Sequence, residues 1–220
     1  HGVIVGAADS RSWGHMRPFV FADGAMLALP TPGDASGVAF AINDAGTVVG
    51  KYERQNGEHA VMWRRAQDAD GWIAIDLHPT RGVNSGARAV NEFGDVVGWA
   101  QNGPHGSDAN LYRACVWRAA AKEGANVVVD LGTLPGMRTS TALALNAHVE
   151  VVGTTAGEYP LPDRAFYWSA STGMLDLNDL VGNRNGRHMV AATGINDAGD
   201  VIGYAIDQGR PRGVILRSLP

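Results

Sequence analysis

The chain repeats one nine-residue motif, whose clearest copy is Ile195-Asn196-Asp197-Ala198-Gly199-Asp200-Val201-Ile202-Gly203. Related copies begin at Ile42, Val90 and Leu145, and the chain opens on the back half of a fifth copy at Gly2. Asn and Gly tolerate the positive φ angles of a tight turn. A strand with small residues at alternate positions precedes each full turn, and a β-branched Val-Val-Gly or Val-Ile-Gly strand follows it. The motif therefore predicts a β-hairpin.

Two further strands follow each hairpin in the same order. One is aromatic at its end, as in His59-Ala60-Val61-Met62-Trp63, and the next ends in Asp-Leu, as in Ala74-Ile75-Asp76-Leu77. The glycines that close the hairpins recur every 44 to 55 residues. A period of about 40–50 residues built only of strands is typical of β-propeller blades. We predict an all-β chain that forms a five-bladed β-propeller with four-stranded antiparallel blades.

The repeats divide the chain into five units within a single domain, residues 1–220. The units are approximately 1–30, 36–77, 85–131, 140–177 and 189–218. The first unit lacks its first strand and the last lacks its fourth, so we expect incomplete first and last blades. A larger ring with further blades is left open, and we expect either a monomer or part of a longer chain.

Composition excludes several classes of protein. The formal net charge is −4, the isoelectric point is about 5.9 and there is no block of basic residues, which argues against nucleic acid as a partner. No apolar run approaches the length of a membrane span. The single cysteine, Cys115, excludes an internal disulfide and is expected to be a small buried hydrophobe. We predict no cofactor and no metal site.

Antiparallel alternation sorts the connections onto two faces. The short Asn-x-x-Gly turns share one face with the turns between third and fourth strands. The longer loops between second and third strands share the other face with the crossovers to the next unit, and binding residues usually lie on such loops. We take the polar and aromatic residues of this loop-rich face as candidate ligand-binding residues: Trp13, His15, Tyr52, Arg54, His78, Arg81, His105, Tyr112, Tyr159, Arg187 and His188.

The repeat resembles the HAF-type extracellular repeat of bacterial secreted proteins. His59-Ala60-Val61-Met62-Trp63 and Asp130-Leu131-Gly132-Thr133-Leu134-Pro135-Gly136 match that pattern closely. The order of strands also looks like the kelch blade. The resemblance covers nearly the whole chain and implies a propeller in an extracellular or cell-envelope setting, without catalytic residues. Pro18, Val149 and Gly213 depart from the pattern, which predicts looser end blades and a modified turn in the fourth unit.

Residues that recur in every unit are interpreted as structural. Each repeated asparagine is expected to form its own turn, the aspartates near the end of the fourth strand to bond a neighbouring turn, and the blade tryptophans to pack in the core. These sets are Asn43, Asn91, Asn146 and Asn196; Asp76, Asp130 and Asp176; and Trp63, Trp117 and Trp168. Trp13 breaks the repeat and is the best candidate for stacking on a sugar or peptide.

Three functional hypotheses remain open from the sequence. The first is a non-catalytic extracellular β-propeller that presents its loop-rich face to a glycan or protein partner. The second is a carbohydrate-active enzyme, a glycoside hydrolase or lyase, which needs paired carboxylates such as Asp44, Glu92 or Asp197 at the propeller axis. The third is a structural array of repeats. A fourth hypothesis is a copper site at a mature N-terminal His1. We expect instead that residues upstream of His1 were removed.

Overall fold

A computed structural model describes residues 2–9, 14–55, 57–66, 71–78, 84–101, 111–119, 128–181 and 186–218. These residues form five antiparallel sheets of three or four strands. The prediction of an all-β chain of antiparallel sheets is therefore confirmed, and three of the five sheets have the predicted four strands. The described part also contains a 3-10 turn at Pro32–Asp34 and one short helix, α1 (Leu177–Leu180), which the sequence did not predict.

Each sheet is a meander in which strands pair in chain order. The strands are β1 (Ile4–Asp9), β2 (Met16–Ala22) and β3 (Ala25–Ala28) in the first sheet; β4 (Gly37–Ile42), β5 (Val48–Arg54), β6 (Gly57–Arg65) and β7 (Trp72–Asp76) in the second; β8 (Ser85–Val90), β9 (Val96–Gln101), β10 (Tyr112–Trp117) and β11 (Val128–Asp130) in the third; β12 (Thr139–Leu145), β13 (Val151–Ala156), β14 (Arg164–Ser169) and β15 (Gly173–Asp176) in the fourth; and β16 (His188–Ile195), β17 (Val201–Asp207) and β18 (Arg210–Leu216) in the fifth.

The glycine of the Val-Val-Gly strand is required by a close approach between strands. The first strand shifts register opposite this glycine in the second to fifth sheets. A Cβ atom at Gly50 would overlap the backbone oxygen of Val38, and one at Gly98 would overlap that of Gly86. The same overlap would occur at the equivalent glycines of the next two sheets. Glycine therefore permits the β-bulge that curves each first strand.

The asparagine turn keeps one backbone geometry in all four complete copies. Gly46, Gly94 and Gly199 have φ angles of 79°, 84° and 80°, and Val149 in the fourth copy has 59°. Each of these residues donates its N–H to the carbonyl oxygen of the turn asparagine at 3.0 to 3.1 Å. The prediction of a modified turn in the fourth unit is wrong for the backbone. Val149 holds a conformation that is unfavourable for a β-branched residue, while its side chain is buried in the core.

The core lies between consecutive sheets. The first valine of each Val-Val pair faces the preceding sheet, and the second faces the following sheet. Val49 of the second sheet therefore packs with Val96 and Trp117 of the third. In the same way, Val152 of the fourth sheet packs with Val201 of the fifth. Burying one such valine stabilises the fold by about 1.5–3 kcal/mol. Trp63 and Trp117 are buried, as predicted, and Trp168 is half-buried against a core cluster. Cys115 is buried as expected.

The outward faces of the first and last sheets carry exposed apolar side chains. Ile4 on β1 is 58% exposed, and Ile202 and Ile215 on the last sheet are 50% and 61% exposed. Equivalent positions inside the stack, such as Val48 and Val152, are fully buried. Five sheets therefore pack in series, first to fifth, with an uncovered face at either end of the described chain. No helix in these described ranges is long and apolar enough to cross a membrane.

Candidate functional site

Three of the predicted loop-face residues, Tyr52, Arg54 and His78, meet His59 and Asp76 at one end of the second sheet. Tyr52 and Arg54 end β5, His59 lies near the start of β6, Asp76 ends β7, and His78 begins the crossover to the third sheet. We call these five residues the His59–His78 site. The asparagine turns lie at the opposite ends of the strands, so the site belongs to the loop-rich face.

Asp76 is the centre of the site. Its Oδ2 atom accepts a hydrogen bond from the Tyr52 hydroxyl at 2.8 Å and lies 3.0 Å from Nδ1 of His59. Its Oδ1 atom accepts the backbone N–H of His78 at 2.8 Å. Nη1 of Arg54 lies 3.8 Å from Oδ2, and the Arg54 side chain is 56% exposed. One carboxylate therefore organises a tyrosine, two histidines and an arginine.

The local structure explains why an aspartate stands at this position. Asp130 and Asp176 accept the N–H of Gly132 and Asn178, two residues further on, just as Asp76 accepts that of His78. The carboxylate thus turns the chain at the end of the fourth strand. The prediction that the repeated aspartates bond a neighbouring turn is confirmed.

The two histidine rings stack on each other. Their centroids are 3.8 Å apart with an interplanar angle of 14°, and the Tyr52 ring meets His59 edge-on at 5.6 Å. Nδ1 of His78 lies 2.7 Å from the hydroxyl of Ser85, which also accepts the N–H of Ala60. Because Ser85 is fully buried, its hydroxyl fixes the His78 ring and is not accessible as a nucleophile.

The environment shifts the ionisation of Asp76 and Tyr52. Burial alone would raise the pKa of Asp76, but hydrogen bonds from His59, the His78 N–H and Tyr52 outweigh burial and lower that pKa below its ordinary value. Burial, followed by the hydrogen bond to Asp76, raises the pKa of the Tyr52 hydroxyl. The site therefore holds an ionised carboxylate beside a neutral phenol.

The ionised state of Asp76 determines which ring nitrogen of His59 carries the proton. An ionised carboxylate only accepts hydrogen bonds, so His59 must donate from Nδ1 to Asp76. The His59 side chain is 14% exposed, and the guanidinium of Arg54 beside it is the exposed group of the site. The Tyr52 ring is 1% exposed and packs in the core, and its hydroxyl holds Asp76 from the interior of the protein. This arrangement suits recognition of a polar or anionic group.

The other sequence candidates lie at different sheets. Nε2 of His15 is 2.8 Å from the Asp34 carbonyl oxygen, Arg187 pairs with Asp207 at 3.3 Å, and Nε2 of His188 is 2.8 Å from the Asp163 carbonyl oxygen. Tyr112 contacts Trp99, with centroids 5.5 Å apart, and Tyr159 is 98% exposed. Trp13, Arg81, His105 and His1 lie outside the described residues. Of the eleven candidates, the structure brings Tyr52, Arg54 and His78 into one site.

Two residues of the site were not among the sequence candidates: Asp76, which was interpreted as purely structural, and His59. The position that corresponds to His59 holds arginine elsewhere, and Arg164 in the fourth sheet lies 3.5 Å from Asp176 as His59 lies close to Asp76. The repeat alignment shows a histidine at a position where the other four third strands have arginine. This histidine was the feature of the sequence that could have pointed to the site. Its role becomes clear from the structure, in which it contacts Asp76.

The repeated asparagines do more than form their own turns. Oδ1 of Asn91 accepts the N–H of Phe93 and of Asp95, which confirms the predicted turn role. Its Nδ2 atom also donates to the carbonyl oxygen of Asn146 on the next sheet, at 3.2 Å. Asn43 and Asn146 reach the next sheet in the same way, at 2.8 and 3.1 Å. These side chains therefore tie the sheets together.

On the opposite face, a cavity of about 670 Å³ is lined by Asp197 and by Glu150, among others. Asp197, one of the three candidates of the paired-carboxylate hypothesis, accepts the backbone N–H of Ala147 at 2.9 Å and so joins the fourth and fifth sheets. Among the residues that the structure describes, no group of three or more His, Cys, Asp or Glu side chains is placed to hold a metal ion. Comparison with family models and with curated proteins finds no match for this chain.

Proposed function

We propose that the chain is a non-catalytic binding module, built from β-propeller blades and working outside the cell or in the cell envelope. Its loop-rich face would meet a glycan or protein partner. The blade assignment is supported by the repeated meander, by the serial packing of the sheets and by the asparagine bonds between them. The proposed location outside the cell or in the cell envelope rests on the resemblance to the HAF-type repeat.

The His59–His78 site is the observation that carries the binding proposal. It places an exposed cation, Arg54, beside an oriented imidazole on the loop-rich face, supported by a buried tyrosine. Among the described groups, those with a shifted pKa lie off the first strands of the sheets: Tyr52, Asp76, Cys115, Tyr167 and Asp200.

The test is a binding screen with variants of the site. Labelled protein is applied to an array of neutral and carboxylate-bearing oligosaccharides and to an array of peptides. Arg54→Ala is expected to weaken the signal at least about tenfold, as for a charged hydrogen bond worth about 1.5–3 kcal/mol. Arg54 is half-exposed, so this variant should fold normally. His59→Ala should weaken the same signal.

Asp44→Ala is the control, because Asp44 is exposed on the opposite face. It should leave binding unchanged. Binding that resists both site substitutions would overturn the proposed site. Cleavage of an arrayed oligosaccharide that is lost in Asp44→Ala would instead support the carbohydrate-active enzyme.

A further inference from the structure

The first strands of the second to fifth sheets lie in a row in which β4 contacts β8, β8 contacts β12, and β12 contacts β16. Each of these strands has a β-bulge opposite the glycine of its second strand. The residues that are left unpaired at these bulges are Phe40, Arg88, Leu143 and Thr193. One cation therefore stands in a row of otherwise uncharged residues.

The charge of Arg88 is not compensated by its surroundings. Arg88 forms no ion pair within the part of the chain that the structure describes. The four first strands contain no aspartate or glutamate that could supply one. The Nε atom of Arg88 is buried and has no hydrogen-bond partner among the described residues. Because the guanidinium is partly withdrawn from water, an anion that reaches it forms a stronger hydrogen bond than at an exposed arginine.

Phe40 fixes the plane of this guanidinium. Cζ of Arg88 lies 4.5 Å from the centroid of the Phe40 ring, a cation–π contact between two neighbouring first strands. Stacking covers one face of the guanidinium, and the two Nη atoms at its end are not buried. A planar carboxylate can lie in the same plane and accept one hydrogen bond from each Nη atom. A tetrahedral phosphate extends to both sides of that plane, and Phe40 covers one of those sides.

We propose that Arg88 binds the carboxylate of a small organic acid, such as a uronic acid, at the row of first strands. The two Nη atoms donate to the two carboxylate oxygens, and Phe40 holds the guanidinium in the plane of that group. Arg88 lies in the third of the five sheets, between two four-stranded sheets, so internal residues of the chain form this site. It is separate from the His59–His78 site and does not depend on the function proposed for that site.

The experiment titrates D-glucuronate into the 220-residue chain and follows binding by isothermal titration calorimetry. We expect saturable binding that weakens at least about tenfold in Arg88→Met, which keeps a long side chain beside Phe40 but removes the charge. Arg88→Lys keeps the charge and loses the planar pair of donors, so it should weaken binding as well. Neutral D-glucose should not bind, and inorganic phosphate should bind more weakly than D-glucuronate.

Arg65→Met is the matched control. Arg65 also stacks on an aromatic ring, with its Cζ atom 4.6 Å from the Trp72 centroid, but it is exposed at the end of β6. This variant should bind D-glucuronate as tightly as the unsubstituted protein does.

A second measurement uses the unsubstituted protein and so does not depend on the folding of a variant. In proton–nitrogen NMR spectra, the Nε signal of Arg88 should shift when D-glucuronate is added and should not shift with D-glucose. Absence of saturable binding, equal binding of D-glucose or phosphate, an unmoved Arg88 signal, or binding that is unchanged in Arg88→Met would overturn the proposal.

Discussion

Single residues decide the chemistry of the loop-rich face. Asp76 has the same local task as Asp130 and Asp176, which is to accept a backbone N–H at the end of a fourth strand. In the second sheet a histidine and a tyrosine share that carboxylate. Asp76 is therefore the centre of a polar cluster because of the residues that surround it in the second sheet.

The lowered pKa of Asp76 makes its contribution to stability depend on pH. Because the pKa is lower in the folded chain than its ordinary value of 3.8, the contribution is complete above that value and is lost as the pH falls through the folded pKa. Asp76→Asn should lower the free energy of unfolding by about 1–2 kcal/mol near neutral pH, since the Tyr52 hydroxyl and His59 lose a charged acceptor. The difference from the unsubstituted protein should shrink as the pH falls below the ordinary aspartate range and through the folded pKa.

Urea unfolding followed by tryptophan fluorescence, at a series of pH values, measures this difference. Asp44→Asn serves as the control because Asp44 is exposed, and it should change stability by less than about 0.5 kcal/mol. A cost for Asp76→Asn that stays constant down to the acid limit would contradict the assigned hydrogen bonds.

At the scale of the element, the asparagine hairpin is both a turn and a connector. The side-chain oxygen closes the turn, and the side-chain nitrogen of Asn43, Asn91 and Asn146 reaches the following sheet. Asn196, in the last sheet, donates to Asp200 within its own turn instead. The same motif therefore stabilises the fold by different amounts in different copies.

Asn91→Ala should cost about 2–3 kcal/mol of stability, because it removes the turn bonds and the bond to the Asn146 carbonyl of a buried side chain. Asn196→Ala removes only turn bonds at an exposed position and should cost about 1 kcal/mol. Chemical denaturation of the two variants measures the difference. Equal costs would mean that the inter-sheet bond contributes nothing in solution.

Sequence predicted the elements well because their signals are local. The Asn-x-x-Gly turns, the glycines opposite the bulges and the Asp-Leu strand ends each act within a few residues or across one strand pair. The His59–His78 site was only partly predicted, since its ring stacking joins a third strand to a crossover. Tyr52 was grouped with exposed loop residues, yet it fills a core position where Ala8, Ala100 and Ala205 stand in other sheets.

At the scale of the whole molecule, the serial packing of sheets makes equivalent positions unequal. Each internal sheet buries both of its faces, whereas the first and last sheets leave one face exposed in the described chain. Looser end blades, predicted from Pro18 and Gly213, stay a prediction. Pro18 lies within β2 and Gly213 within the edge strand β18.

The last prediction compares one position in two sheets. Val152→Thr places a hydroxyl in a fully buried site between the fourth and fifth sheets and should cost about 1–3 kcal/mol. Ile202→Thr is the equivalent change one sheet later, where the side chain is 50% exposed, and should cost less than about 1 kcal/mol. Urea denaturation at several protein concentrations measures both.

A large cost at Ile202 would mean that this face is covered in solution. If that cost did not vary with concentration, the first sheet of the same molecule would be the cover and the ring would close. If the cost grew with concentration, the cover would be a second copy.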